Sequence, residues 1–320
     1  MTISILEPLS ERDERYLAEA ERAFGIRVQR QGAPSGNERA LIVEHRDVSL
    51  ADLDIMRDLQ IIYLFEWGRA LLPLNRLDAR GITVRKVVNL SGLGVAEHVF
   101  ALLLALRKQI VHGHSAVTNN LWREGVTEPV FTDQRAHTFN WSGIENIGWL
   151  YGETLGIIGF GRIGKAIAQR ARAFDMNVLY YNRHRLSSVE EARLEVEYAE
   201  VDDLVERADV ITLNLPYTPQ SASIIGRDQI ERMKPTAVLI NTARGRVVDE
   251  DALTDALREH RIAGAGLDVM VYEPPARENP LLQFDNVVFS PHVAGIYDPV
   301  AREIQFKTAL RWWLDERNLS

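Results

Sequence analysis

A chain of 320 residues is longer than one hydrophobic core usually supports, so two domains are the first expectation, and 46% apolar with 26% charged residues is an ordinary globular balance. A net charge of −8 with both signs interspersed argues against nucleic acid as the main partner, and the absence of cysteine excludes disulfides, thiolate metal sites and a cysteine nucleophile. With no run of 18 apolar residues and no basic-then-apolar N-terminus, neither a membrane span nor a signal peptide is expected, and the cytoplasm is the expected compartment.

Residues 1 to 92 alternate short apolar strands with amphipathic helices. Ile3 to Leu6 reads as a strand, Glu11 to Phe24 as a helix rich in Glu, Arg and Ala, and Ile26 to Val28 and Ala40 to Val43 as strands. Ser49 to Leu59 reads as a helix, with Ser49 as N-cap and Leu53, Met56 and Leu59 on one face. Ile61 to Phe65 is the next strand, a short helix runs through Leu77, and a last strand begins at Gly81 to Val84. This alternation implies a small parallel α/β domain, and the turn Phe65 to Arg69 lies at a strand's C-terminal end, where open α/β sheets bind ligands.

From Gly94 to Val111 a helix is expected that is apolar nearly all round, so it must be buried between domains or against a second subunit. Glu97 and His98 near its start read as capping or interface groups. Residues 119 to 152 show no sustained period, although Trp122, Phe131, Phe139, Trp141 and Trp149 are spread through them; a stretch this long and irregular reads as a dimerisation arm or an active-site cover. His112, His114 and His137 have no carboxylate or cysteine at ligand spacing, so no metal site is expected.

The stretch Thr154 to Lys165 contains G-x-G-x-x-G between an apolar strand and a helix that continues to Phe174. Gly159 permits the tight turn, Gly161 lets a pyrophosphate approach the backbone, and Gly164 lets helix pack on strand, with the helix N-terminus facing the anion. A second strand, Asn177 to Tyr181, completes a βαβ unit. At its end an NAD site usually carries Asp or Glu for the ribose hydroxyls, whereas this chain has Asn182, then Arg183 and Arg185. Asn with two guanidiniums can receive a 2′-phosphate, so NADP is expected over NAD. The competing reading treats both arginines as solvated loop charges and leaves NAD in place.

Helix and strand then repeat: Val201 to Arg207 and Asp209 to Leu213; Arg227 to Met233 and Ala237 to Ile240; Glu250 to Glu259 and Gly264 to Val269; then strand Asn286 to Phe289. Near-continuous apolar strands alternating with helices imply a doubly covered parallel sheet. A closing helix, Asp298 to Trp313, can return to the first domain, so the nucleotide domain is expected as an insertion.

Three segments just past strand ends carry ionisable residues: Asn241 to Gly245, Asp268 to Pro275 and Ser290 to Gly295. In a parallel sheet all strand C-terminal ends share one edge, so Arg244, Glu273 and His292 are expected beside the cofactor. A guanidinium, a carboxylate and an imidazole beside a nicotinamide suit hydride transfer to a carbonyl. Arg244 would grip a substrate carboxylate or polarise its carbonyl, His292 would exchange the proton, and Glu273 would fix the His292 tautomer. Each also has a plainer reading alone: a helix-end cation, a loop charge, a satisfied histidine.

G-F-G-R-I-G at 159 to 164, N-T-A-R-G-R-V-V-D-E at 241 to 250, G-L-D-V-M-V-Y-E-P at 266 to 274 and S-P-H-V-A-G at 290 to 295 together resemble the D-isomer-specific 2-hydroxyacid dehydrogenase family. V-A-E-H at 95 to 98 with Arg107 resembles that family's interdomain and dimer helix. The resemblance implies an α/β fold with a Rossmann-type doubly wound sheet, residues 93 to 295, inserted in a smaller flavodoxin-like substrate domain of residues 1 to 92 and 296 to 320. It also implies a homodimer and the triad Arg244, Glu273 and His292. By carry-over, Arg162 and Ile163 would contact the pyrophosphate, Leu215 and Pro216 would border the adenosine, and Thr242, Ala243 and Asp268 would line the nicotinamide side. The backbone of Trp67, Gly68 and Arg69 would hold the substrate carboxylate. Of the family's glycine-rich segment only Gly68 is in place, which suggests an altered pocket; Gly94 stands where Ser or Thr is common, and the 119 to 152 loop is longer than usual.

The expected function is therefore an NADP-preferring reductase of small 2-oxo acids, of the glyoxylate or hydroxypyruvate type. The alternatives are an NAD-dependent dehydrogenase of a larger 2-hydroxy acid and, in a different class, a nucleotide-sensing, co-repressor-like binding protein.

Overall fold

A computed structural model describes residues 2–65, 70–88, 90–126, 128–129, 131–133, 135, 137–295 and 299–317. The chain forms two compact units, Met1–Ser91 with Tyr297–Ser320, and Gly92–Ile296. No helix among the described residues is long and apolar enough to cross a membrane.

The first unit opens with β1 (Thr2–Ile5), α1 (Glu11–Phe24), β2 (Val28–Arg30), β3 (Glu38–Val43), α2 (Leu50–Ile55), β4 (Ile61–Phe65), α3 (Leu74–Ala79) and β5 (Thr83–Val87). The Ser10 side chain accepts from Asp13 N–H at the start of α1, and Gly25 ends the helix in the left-handed region at φ 64°. The strands lie in the order β2-β1-β3-β4-β5, all parallel, which is the flavodoxin-like arrangement. α2 stops at Ile55, short of the expected Leu59. The cause lies far along the chain, where the Arg80 guanidinium donates to the carbonyls of Leu53, Met56 and Arg57 at 2.5, 2.7 and 3.0 Å. Those carbonyls would otherwise carry the helix onward or face water.

The second unit is entered through α4 (Ser91–Arg107), followed by α5 (Ile110–Thr118). One helix over 94 to 111 was the expectation. It breaks because Gly148 N–H takes the Arg107 carbonyl at 2.6 Å, and Gln109 turns into the left-handed region at φ 54°. Residues 119–152 contain no helix or strand among those described. Then come β6 (Thr154–Ile158), α6 (Arg162–Ala173), β7 (Asn177–Tyr181), α7 (Ser188–Leu194), β8 (Glu197–Tyr198), α8 (Val201–Arg207), β9 (Val210–Leu213), α9 (Arg227–Arg232), β10 (Val238–Asn241), α10 (Glu250–Arg258), β11 (Gly264–Leu267) and β12 (Val287–Phe289). α7 and β8 are additional to the elements expected from the sequence. The signal for α7 was a capping box, in which the Ser187 side chain accepts from Glu190 N–H while the Glu190 carboxylate reaches back to Ser187.

All seven strands are parallel, in the order β12-β11-β10-β9-β6-β7-β8. Strand order reverses between β6 and β9, the switch point at which doubly wound sheets bind ligands beyond the strand C-terminal ends. Alternate strand residues serve two cores. Leu155, Ile157, Tyr180 and Ile240 pack with α4 and α6, while Ile158, Leu213, Leu239 and Leu267 pack with α8 and α10. Burial on both faces explains why β9 and β10 read as continuous apolar runs.

The last helix, α11 (Pro299–Arg317), belongs to the first unit, where Phe306, Leu310 and Trp313 pack on Ile5, Tyr63 and Phe65. Its Arg302 is buried. Burial works against the charge, but Glu44 and Asp13 outweigh it and raise the guanidinium's pKa.

Candidate active site

The turns after β6, β7, β9, β10, β11 and β12, on the C-terminal edge of the second unit's sheet, position the residues singled out from the sequence. The first follows β6. Gly159 sits at φ 93°, and a Cβ there would lie 2.5 Å from the Asn214 carbonyl oxygen, so only glycine lets this turn pass the end of β9. Nothing lies within 4 Å of where a Gly161 Cβ would be, so the turn is open above the start of α6, the helix that Arg162, Ile163 and Gly164 begin. Backbone N–H groups at such a helix start suit a pyrophosphate.

At the end of β7, the Asn182 Oδ1 accepts from Phe160 N–H at 3.3 Å and its Nδ2 donates to the His184 carbonyl at 3.0 Å. Arg183 is exposed. Arg185 turns onto α7 instead, donating from Nε and Nη2 to the two oxygens of Glu191 at 2.8 and 3.0 Å, with its guanidinium 5.0 Å from the Tyr198 ring centre. The Arg185 bond holds the Glu191 carboxyl below its ordinary pKa.

The turn after β10 carries Thr242, Ala243 and Arg244. Asn241, almost fully buried, brackets it by accepting from Ala243 N–H at 3.0 Å and donating to the Arg244 carbonyl at 2.9 Å. Arg244 is exposed, and its Nη1 donates to the Ala243 carbonyl at 2.5 Å. Beside it, a Cβ on Gly245 would stand 2.1 Å from the Met270 carbonyl, so the glycine lets this turn touch the next one. Glu250, at the start of α10, accepts from Val271 N–H at 3.0 Å and from Asn279 Nδ2 at 3.0 Å, which pins the loop after β11.

That loop delivers Glu273 to His292. One Glu273 oxygen accepts from Met270 N–H at 3.1 Å and the other lies 2.6 Å from His292 Nδ1. A carboxylate only accepts, so Nδ1 carries the proton and Nε2 is left for another partner. The pair is accessible, with side-chain exposures of 38% for Glu273 and 48% for His292. Asp268 lies beneath it at 2% exposure, accepting from Ser290 Oγ at 2.6 Å, Val293 N–H at 2.9 Å and Ala294 N–H at 2.9 Å. Two carboxylate oxygens offer about four acceptor positions, so room for one further donor remains.

Several features fit a dinucleotide laid along this edge. Thr242 Oγ1 and Asn214 Oδ1, at the ends of adjacent strands, are buried without a hydrogen-bond partner among the described residues, a state that otherwise costs free energy. Leu215 and Pro216 continue from Asn214. Trp67, Gly68 and Arg69, expected to hold the substrate, lie outside the described residues. His98, expected as a cap or interface group, lies 2.7 Å from Ser290 Oγ, and its neighbour Glu97 pairs with Arg170 at 2.9 Å. No cluster of His, Cys, Asp or Glu able to hold a metal ion occurs among the described residues.

Comparison with known proteins adds three findings. The family model described as D-isomer specific 2-hydroxyacid dehydrogenase, NAD binding domain, matches residues 100–294. A glyoxylate reductase of Korarchaeum cryptofilum is 35% identical over 294 residues, spanning 88% of this chain and 83% of the relative. Among solved structures, an NADPH-dependent glyoxylate/hydroxypyruvate reductase from Sinorhizobium meliloti is 27% identical with a TM-score of 0.65, covering 98% of this chain and 94% of that one. A D-lactate dehydrogenase with NAD+ from Lactobacillus jensenii is 25% identical with a TM-score of 0.70, covering 97% and 95%.

Proposed function

Because this chain belongs to the D-isomer specific 2-hydroxyacid dehydrogenase family, and is thereby an NAD(P)-dependent enzyme acting on CH–OH groups, we propose that it reduces a small 2-oxo acid, with NADPH preferred. The substrate is of the glyoxylate or hydroxypyruvate type and the product a D-2-hydroxy acid. The observation that carries this reading is the 2.6 Å contact between His292 Nδ1 and Glu273, on the sheet edge where the glycine turn opens.

With Nδ1–H given to Glu273, His292 Nε2 is the atom that hands a proton to the substrate oxygen and takes it back in the reverse direction. A bound nicotinamide supplies or accepts the hydride. The exposed Arg244 receives the substrate carboxylate through charge-assisted hydrogen bonds. The amides at Gly161, Arg162 and Ile163 hold the pyrophosphate, Leu215 and Pro216 border the adenosine, and Thr242, Ala243 and the remaining acceptor position of Asp268 serve the nicotinamide side.

Two features support NADP: Asn182 in place of a carboxylate, and the exposed Arg183 beside it. One observation favours a second reading. Arg185 is already occupied by Glu191, which leaves one guanidinium rather than two for a 2′-phosphate and suits an NAD enzyme of a larger 2-hydroxy acid. Following NADPH and NADH consumption with glyoxylate, hydroxypyruvate, pyruvate and phenylpyruvate separates the two. An equal or lower KM for NADH removes the NADP preference, and turnover confined to phenylpyruvate removes the small substrate.

We further propose a homodimer formed through α5 and the 119–152 segment. Ile110, Val111, Phe131, Phe139, Trp149 and Tyr151 are exposed there, a density of apolar surface that marks an interaction face. A monomeric mass by light scattering at micromolar concentration contradicts it.

A further inference from the structure

Beneath the loop that bears His292 runs a line of side chains from α4. Ser290 Oγ is 2.6 Å from Asp268 Oδ1 and 2.7 Å from His98 Nε2, whereas His98 Nε2 is 3.5 Å from that same Oδ1. A hydroxyl has one proton and a carboxylate has none to give, so Ser290 donates to Asp268 and must accept from His98 Nε2–H. Asp268 is then the hub of the loop. Its oxygens take Val293 N–H and Ala294 N–H, and its backbone carbonyl takes His292 N–H at 2.8 Å. Three successive amides are thus tied to one buried residue, and they hold His292 in the left-handed region at φ 54°, which a side chain of this kind rarely adopts unaided.

We propose that His98 is a positioning residue for His292. By donating to Ser290 it fixes the direction of the Ser290 hydroxyl, which completes the coordination of Asp268 and keeps the left-handed turn that presents the His292 ring to Glu273. His98 touches none of the reacting groups; it acts only through Ser290 and Asp268. The inference rests on the acid–base reading of His292, and its structural half can be tested without turnover.

The test uses His98→Leu, which removes the donor at similar volume, and His98→Gln, which keeps an N–H donor. In His98→Leu, hydrogen exchange of the Val293 and Ala294 amides in the cofactor-free protein should quicken at least about tenfold. Its kcat for 2-oxo acid reduction should fall about ten- to a hundredfold, with the KM for the dinucleotide within about twofold of wild type. His98→Gln should recover most of both. Should His98→Leu prove too unstable to measure, Ser290→Ala breaks the same line without touching α4 and should reproduce the faster exchange and the lower kcat. Wild-type exchange and kcat in His98→Leu or Ser290→Ala would overturn the proposal, as would a His98→Gln protein as impaired as His98→Leu in both readouts. A wild-type protein that turns over no 2-oxo acid sinks the functional reading instead, and the exchange comparison still decides whether His98 holds the loop.

Discussion

The loops after β10, β11 and β12 and the loop after β7 leave the same edge of one sheet, yet they are held by different means. At the first set, buried or half-buried side chains grip backbone: Asn241 brackets the Arg244 turn, Glu250 pins Val271, and Asp268 ties the loop of His292. At the β7 loop, Asn182 and the Tyr180 hydroxyl, which accepts from Leu186 N–H at 2.9 Å, anchor backbone, whereas Arg183 stands exposed and Arg185, also exposed, pairs with the half-buried Glu191. Backbone anchoring fixes a side chain to a few tenths of an ångström, which proton transfer requires, whereas exposed ion pairs are worth a fraction of a kcal/mol and are easily exchanged. Reaction chemistry should therefore tolerate little change here, and cofactor choice should tolerate a good deal.

The sharpest way to break this comparison is His292→Ala. Loss of the proton-exchanging group should lower kcat by about 10²- to 10⁴-fold while leaving the dissociation constant of the dinucleotide nearly unchanged. Comparable turnover in the variant, read from NADPH absorbance, would remove His292 from that role. Gly245→Ala comes next. A Cβ 2.1 Å from the Met270 carbonyl must push the Arg244 and Glu273 loops apart, so kcat should drop at least about tenfold and the melting temperature should fall by an amount corresponding to about 1–3 kcal/mol. An unchanged kcat would show that the two turns need not touch.

At the β7 loop the effects should be smaller and confined to the cofactor. Arg183→Ser should raise the KM for NADPH about tenfold, the worth of one charge-assisted bond, and leave that for NADH alone. Equal changes for both cofactors would place Arg183 away from the 2′-phosphate. Glu191→Gln frees Arg185 and should lower the KM for NADPH a few-fold at most. Because Arg185 depresses the Glu191 pKa, the pair is intact above the ordinary carboxylate range and is lost as pH falls through the depressed value. The wild-type and Glu191→Gln preferences should accordingly converge only in acid, and a difference that vanishes at neutral pH would contradict the pairing.

The elements that carry their own signal were legible from the sequence. α1, β4, β7 and α8 begin and end where caps, apolar periods and turn residues placed them, and G-x-G-x-x-G located the turn after β6. Glu273 and His292, singled out 19 positions apart, are in contact. What was missed depended on partners the local pattern cannot name. α2 ends early because Arg80 takes its carbonyls, α4 breaks because Gly148 takes that of Arg107, and Arg185 leaves the expected phosphate site for Glu191.

His98 shows the division most clearly. Its helix could be read from a run of apolar residues, because helical periodicity is written over a turn or two of neighbouring positions. Its role could not, because its partner Ser290 lies 192 positions away, and a hydrogen bond over that separation exists only once the sheet has brought the C-terminal end of β12 beside α4. Residue types and their order along the chain set which groups are available for chemistry and on which edge they gather. Which of their donors and acceptors stay open to a ligand, and which are consumed in holding the site, follows only from packing, since a buried polar group takes whatever partner folding sets within reach of it.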